Sequence, residues 1–188
     1  MSTQPVSAAR RMEVDRAKYP AMLPAEILVW REFLRLYEIN YDVLPDSWLA
    51  YRALQPGAQP QRGDVFDYNV RIGAGRDPGA GFPDATRQMA IQLTQFRLDA
   101  VGFQQGIPVI FEVKRNAGPA QVGQLVSYDA LWRKQAITAI DPKMVLVAAD
   151  FNEQALATVQ EHGIQLVTVP VDFSQLSPYA PVQVKNSL

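Results

Sequence analysis

Two strand-like runs, Gln95 to Phe103 and Pro108 to Lys114, are joined across Gln105-Gly106, a spacing that leaves little alternative to an antiparallel hairpin. With a two-residue turn at Gln105-Gly106, residues whose numbers sum to 211 face each other, so Asp99 stands opposite Glu112. Carboxylates rooted about 5 Å apart on one face of a sheet repel, and the pair calls for a positive charge between them. Side chains alternate along a strand, which puts Lys114 on the face of Glu112. A divalent cation is the other species that fits. Hard oxygen ligands suit magnesium or manganese, typically held by one or two carboxylates at roughly 2.1 Å. Glu112-Val113-Lys114 also closes an apolar strand, where burying unsatisfied charge is costly, so the triplet reads as a site rather than as a wet sheet edge.

The surrounding pattern is that of an α/β domain. From Pro24, apolar residues at spacings of three and four (Ile27, Leu28, Trp30, Phe33, Leu34, Leu36, Tyr37) predict an amphipathic helix to about Asn40. A weaker helix is expected over Asp46 to Leu54, and Gln55 to Gly63 is a connector. Val65 to Ile72 alternates as a half-buried strand, with Phe66, Tyr68, Val70 and Ile72 inward. The Gly- and Pro-rich stretch from Gly73 to Pro83 begins Gly-x-Gly but lacks the spacing of a phosphate-binding loop and reads as a plain mobile loop, long enough for a flap. After the hairpin come a helix from about Pro119 to Gln135, a strand Met144 to Ala149, a helix Glu153 to His162 and a strand Gln165 to Val169. Three consecutive strands followed by alternating helix and strand predict a mixed central sheet flanked by helices. Residues 1–22 are expected to form a flexible arm, 23–170 the folded domain and 171–188 a tail ordered only by packing.

On the helix after Lys114, Gln121, Gln124 and Tyr128 share one face. Gln121 and Gln124 are placed to orient water or phosphate, and Asn116-Ala117-Gly118-Pro119 opens a helix N-terminus to a polyanion. Asp99, then Glu112-x-Lys114 on the next strand, then Gly123-Gln124-Leu125-x-x-Tyr128 together resemble the PD-(D/E)XK nuclease superfamily. The resemblance extends over residues 24 to 169, including the α-β-β-β-α-β order of the restriction-endonuclease-like core. It implies magnesium- or manganese-dependent phosphodiester hydrolysis, most simply of DNA. Asp99, Glu112 and the Val113 carbonyl would be metal ligands, Lys114 would orient or polarise the attacking water, and Gln124 would assist. A glutamate of the first helix often completes such a site; Glu26 and Glu32 are both candidates, with Glu26 favoured because the facing of Glu32 is ambiguous. Arg76, Arg97, Arg115, Gln121 and Tyr128 are the leading candidates to contact nucleic acid, with Arg87, Arg133 and Lys134 as further cations.

Composition narrows the chemistry. The absence of cysteine excludes thiolate nucleophiles, iron–sulfur clusters and Cys-ligated zinc, and a single histidine, His162, excludes a multi-histidine metal site within one chain. His162 precedes Gly163 at a helix end and reads as a cap. Trp30, Trp48 and Trp132 each have an arginine close by in sequence and could stack bases, yet Trp30 and Trp132 lie on apolar helix faces and read as core. The formal net charge of −1 gives no overall pull toward a polyanion. It is unevenly spread: residues 1–136 carry 16 basic and 14 acidic side chains, against two and five in residues 137–188, so the candidate site lies in the more basic part. The longest apolar run, Met144 to Ala149, is far below the roughly 20 residues of a membrane span. The expectation is a cytoplasmic, bacterial or phage-encoded protein with a nucleic-acid partner, no membrane partner and scope for a homo-oligomer. The competing expectation, from near-neutral charge and Pro-rich ends, is a non-catalytic assembly protein of a phage particle or nucleoprotein complex that keeps the nuclease-like fold, in which case it would reside in the virion.

Overall fold

The computed structural model describes residues 19–174 and 176. The chain runs α1 (Pro24–Tyr37), α2 (Asp46–Ala53), β1 (Asp67–Ile72), α3 (Asp84–Thr94), β2 (Phe96–Gln104), β3 (Ile107–Ala117), α4 (Pro119–Gln135), β4 (Lys143–Phe151), α5 (Leu156–Glu161) and β5 (Gln165–Thr168), with 3-10 turns at Glu38–Asn40 and Glu153–Ala155. The five strands form one sheet in the order β1-β2-β3-β4-β5. β1, β2 and β3 pair antiparallel, and β4 and β5 add in parallel. The predicted mixed sheet with an α-β-β-β-α-β core is therefore the observed one.

The hairpin is the pivot of this topology. Gln105 and Gly106 both have positive φ, at 54° and 75°, as a two-residue type I′ turn requires. The resulting register pairs Ala100 with Phe111 and Gln104 with Ile107, the sum of 211 read from the sequence. The turn is also held from outside, since the Gly106 amide donates to Asp42 Oδ2 at 2.9 Å.

A core lies on each face of the sheet. On one, α1 buries Val29, Trp30, Phe33 and Leu34 against Phe66, Tyr68, Phe111, Val113, Val145 and Val147, with Trp30, Phe33, Phe66 and Phe111 in edge or stacked ring contacts. On the other, α4 buries Val122, Leu125, Tyr128 and Trp132 with Ile110, Leu146 and Ala148, and Trp132 stacks on Trp48 of α2 at 5.6 Å. Trp30 and Trp132 are core residues, as expected, and so is Trp48, which the sequence had left open to base stacking. His162 follows the last residue of α5, and Gly163 after it has φ of 63°.

Three expectations need correction. Asp84–Thr94 is a helix that the sequence reading left unassigned; its apolar stripe, Ala85, Met89 and Leu93, is short and stays exposed, and none of its residues is buried. The excursion it belongs to is not a free loop, because the Arg76 amide donates to Thr94 Oγ1 and Gln95 Nε2 donates to the Gly73 carbonyl. Last, Tyr19 and Met22, assigned to the arm, are buried in the α1 core; Val171 and Phe173 of the tail pack against the same core, in keeping with a tail ordered by packing. Residues 1–18, 175 and 177–188 of the arm and tail lie outside the described ones.

One ion pair is wholly internal. Arg52 Nε donates to Asp67 Oδ2 at 2.5 Å, Trp48 Nε1 donates to the same oxygen at 3.0 Å, and the two charged side chains are 2% and 3% exposed. Burial raises the Asp67 carboxyl above its ordinary range even with Arg52 beside it. Removing one partner strands the other charge in a low-dielectric interior. Asp67→Ala is expected to cost about 3–5 kcal/mol in urea unfolding, and the double replacement Arg52→Leu with Asp67→Leu distinctly less than the two single losses together.

Candidate active site

The site forms where the sheet splits. Backbone pairing between β2 and β3 runs from Gln104↔Ile107 to Ala100↔Phe111. At the next step a side chain takes over, and Asp99 Oδ2 accepts the Val113 N–H at 2.8 Å. This bond fixes the Asp99 carboxylate at the fork between the strands.

Lys114 fills that fork. Its Nζ lies 3.0 Å from Glu112 Oε1, 2.9 Å from Glu26 Oε1 and 3.4 Å from Asp99 Oδ2, and donates to the Val113 carbonyl at 2.9 Å. Glu26 reaches it from the first turn of α1, where its other oxygen accepts the Leu23 N–H at 2.7 Å. The same carboxylate thus caps a helix and orients the lysine. Of the two first-helix candidates, Glu26 is in the cluster and Glu32 is outside it, paired with Arg35.

Three carboxylates around one ammonium leave an excess of negative charge in a buried place. Glu26 and Glu112 are 6% and 2% exposed, and Glu112 Oε2 accepts no hydrogen bond among the described residues. Burial and then repulsion from Asp99 push the Glu112 carboxyl up to about 7, and burial first of all raises Asp99. For Lys114, burial works against the charged form, but attraction to Asp99 and Glu112 outweighs it and the ammonium is held above its ordinary value. Among the described residues no three His, Cys, Asp or Glu side chains converge into a metal cage. The oxygen donors facing the fork are two carboxylates, Asp99 and Glu112, and one carbonyl, Val113, with one buried oxygen unpartnered. That set fits magnesium or manganese, which keep water in their remaining positions.

The α4 residues behave differently from one another. Gln121 is turned back on its own helix, its Oε1 accepting the Gly118 N–H at 3.0 Å, so it caps α4. Gln124 is half-buried one turn before Tyr128. Tyr128, read from the sequence as a nucleic-acid contact, is 2% exposed and lies behind the carboxylates instead. Its hydroxyl donates to the Arg97 carbonyl at 3.3 Å, and burial followed by the charges of Glu112 and Asp99 raises the phenol above its ordinary value. An apolar ring at a helix position facing the sheet is core, whatever its hydroxyl does. Arg76 and Arg115 are exposed and Arg97 half-buried; Arg115 sits over the Phe173 ring at 4.5 Å. Arg87 and Arg133 are engaged locally, with Asp77 and Asp84 and with Asp129 and Asp141.

One contributor escaped the sequence reading. β1 and β2 pair at Tyr68↔Ala100 and Val70↔Leu98, and the step between them would be Asn69 with Asp99. Asn69 has φ of 55°, and its side-chain oxygen is buried without a partner. Across this step both strands change face: Tyr68 and Ala100 belong to the α1 core, Val70 and Leu98 to the α4 core. The alternation read from the sequence therefore breaks at Asn69, and the break is what turns Asp99 out of the ladder toward Val113. An asparagine amid strand residues was the available signal, since it tolerates the left-handed region better than most.

No protein-family model matches the sequence, and no curated protein matches it. Two solved structures overlap it in part. A repair endonuclease from Pyrococcus abyssi is 22% identical over 40% of this chain and 34% of its own, with a TM-score of 0.37. EndoMS in a complex with double-stranded DNA is 21% identical over 54% of this chain and 40% of its own, with a TM-score of 0.34. The chain thus matches two fifths or less of the length of either protein.

Two measurements follow from this geometry. Because the neutral Glu112 carboxyl is favoured in the folded state, its contribution to stability is fully present below the ordinary value of 4.5 and is lost as pH rises to about 7. Urea unfolding of the metal-free protein should show stability falling across that window, and Glu112→Gln should flatten the fall. Asn69→Gly, which keeps access to positive φ, should preserve the Asp99 environment in carboxyl carbon NMR; Asn69→Val should displace it and cost about 1–3 kcal/mol.

Proposed function

We infer that this chain is a metal-dependent nuclease that hydrolyses phosphodiester bonds in DNA. The observation that carries the reading is the Lys114 ammonium held between Asp99, Glu112 and Glu26 at the split between β2 and β3. A purely structural ion pair has no need of three buried carboxylates for one cation, and such an excess is costly unless another positive charge joins it. Asp99, Glu112 and the Val113 carbonyl would hold magnesium or manganese. When bound, the ion supplies Lewis-acid stabilisation of the charge that grows on the phosphoryl oxygens, and a more acidic water.

The chain's own residues do the rest. Lys114 keeps its proton and directs N–H donors toward the place where water and a phosphoryl oxygen would meet, while Glu26 prevents its long side chain from swinging away. Asp99 is pinned by the Val113 amide, so its free oxygen keeps one direction. Tyr128 and Trp132 close the α4 side against solvent, which strengthens every charge interaction in the fork. Gln124, half-buried on the same helix face, would orient water or phosphate. Arg97, Arg115 and Arg76 are the cations for the flanking backbone.

The deciding assay presents linear, circular and single-stranded DNA, with RNA alongside, to the purified protein in magnesium or manganese. Cleavage should require the metal, stop in EDTA and fall by about 10²–10³ in Lys114→Ala, checked as folded by circular dichroism. Absence of cleavage on every substrate, together with no metal binding by calorimetry, would overturn the nuclease and leave the assembly protein as the better account.

A further inference from the structure

Away from the carboxylates, at the open end of β1, lies a cleft of about 290 Å³ lined by Tyr51, Gln55, Arg71, Gly73, Gln95, Gln135 and Ile137. Its wall contains one cation, three amides and a phenol, and no carboxylate. Gly73 is gripped on both sides: its amide donates to Gln135 Oε1 at 3.3 Å and its carbonyl accepts from Gln95 Nε2 at 2.8 Å. These bonds occupy one end of each glutamine and leave the other. Gln95 Oε1 is buried with no partner, an acceptor lacking a donor.

The charge is equally incomplete. Arg71 lies directly across the ladder from Arg97, and like charges at such positions destabilise a sheet. Arg71 donates to the Gln92 carbonyl, and among the described residues neither arginine has a carboxylate within ion-pairing distance. Burial, then Arg97 and Arg52, push the Arg71 guanidinium below its ordinary value. What would relieve both deficits is a ligand with an anionic group for the arginines and an N–H donor for Gln95.

We propose that the cleft, with Arg71 in its wall and Arg97 across the ladder from it, is a nucleotide subsite in which the arginines take a phosphate and Gln95 and Gln135 meet the edge of an unpaired base. This rests on the nuclease reading and deepens it. Arg97 is two residues from Asp99 along β2, roughly 6.6 Å, comparable to the step between neighbouring phosphates of one strand. On this proposal a strand with its scissile phosphate at the carboxylates has an adjoining phosphate within the reach of Arg97. Side-chain amides read base edges through paired donor and acceptor, and a base can offer its edge here only when it is not paired.

The test is run in EDTA, where binding is separated from hydrolysis. The full chain is titrated with inorganic phosphate, with the four deoxynucleoside monophosphates and with a short single-stranded oligonucleotide, by calorimetry and by NMR of the glutamine side-chain amides. A monophosphate should bind more tightly than phosphate and shift the Gln95 and Gln135 signals. Arg71→Gln and Gln55→Glu, the second placing a negative charge in the wall without shortening it, should each weaken monophosphate and oligonucleotide by about tenfold. If the oligonucleotide binds and neither variant weakens it, the subsite is wrong while the nuclease stands. If phosphate binds as tightly as nucleotide with the amide signals unmoved, the base contact is wrong. Nucleotide binding at the glutamines by a protein that cleaves nothing keeps the subsite and removes the nuclease.

Discussion

Lys114 is one cation set among three carboxylates, and the arrangement around it is the compromise such a cluster demands. Each carboxylate has a second hold that fixes where it points or what state it prefers. Glu26 is bound to the start of α1, Asp99 to the Val113 amide, and Glu112 is sealed behind Tyr128 so that its neutral form becomes competitive near pH 7. Without these holds the acids would separate and ionise in water. With them, the energy of confinement is stored where a dication would release it.

The rest of the fold serves that confinement from two sides. α1 packs an aromatic cluster onto one face and delivers Glu26 from its first turn; α4 packs onto the other and delivers Tyr128. A mixed sheet is what makes the fork accessible, because the antiparallel partner of β3 ends its backbone pairing at Ala100 while the parallel partner, β4, continues beside β3 to Ala117. One side of β3 is therefore saturated and the other open at the level of Glu112 and Lys114.

Much of this was legible in the sequence, for reasons that differ by residue. Gln105-Gly106 determines the hairpin register as far as Ala100↔Phe111, which brings Asp99 to the fork beside Glu112 and Lys114, though not its turn onto the Val113 amide. Glu26 was reached only through the family resemblance, as one of two first-helix glutamates, with Glu32 set second because its facing is ambiguous. What was illegible depended on tertiary context. Tyr128 has a polar group and a helical spacing compatible with a surface contact, and only packing reveals that it is enclosed. Gln121 forms a local cap that competes with any outward role. α3 was missed although Ala85, Met89 and Leu93 recur at helical spacing, because the stripe is short and follows directly on a Gly- and Pro-rich stretch. Arg71 looked like an ordinary polar position of a half-buried strand, because the cross-strand encounter with Arg97 needs the β1–β2 register, which no short turn specifies.

Asn69 also bears on how the molecule keeps itself apart from others. β1 is one edge of the sheet, and an edge strand with regular alternation invites a foreign strand to add along it. Here the two halves of β1 direct their apolar side chains to opposite faces, Tyr68 to one and Val70 with Ile72 to the other. An incoming strand in any single register would find its own alternation satisfied over only half the length, and β1 itself cannot slip by two residues without driving Tyr68 into the wrong core. The residue that opens the sheet at the carboxylates thereby also makes its edge strand a poor template for strand addition.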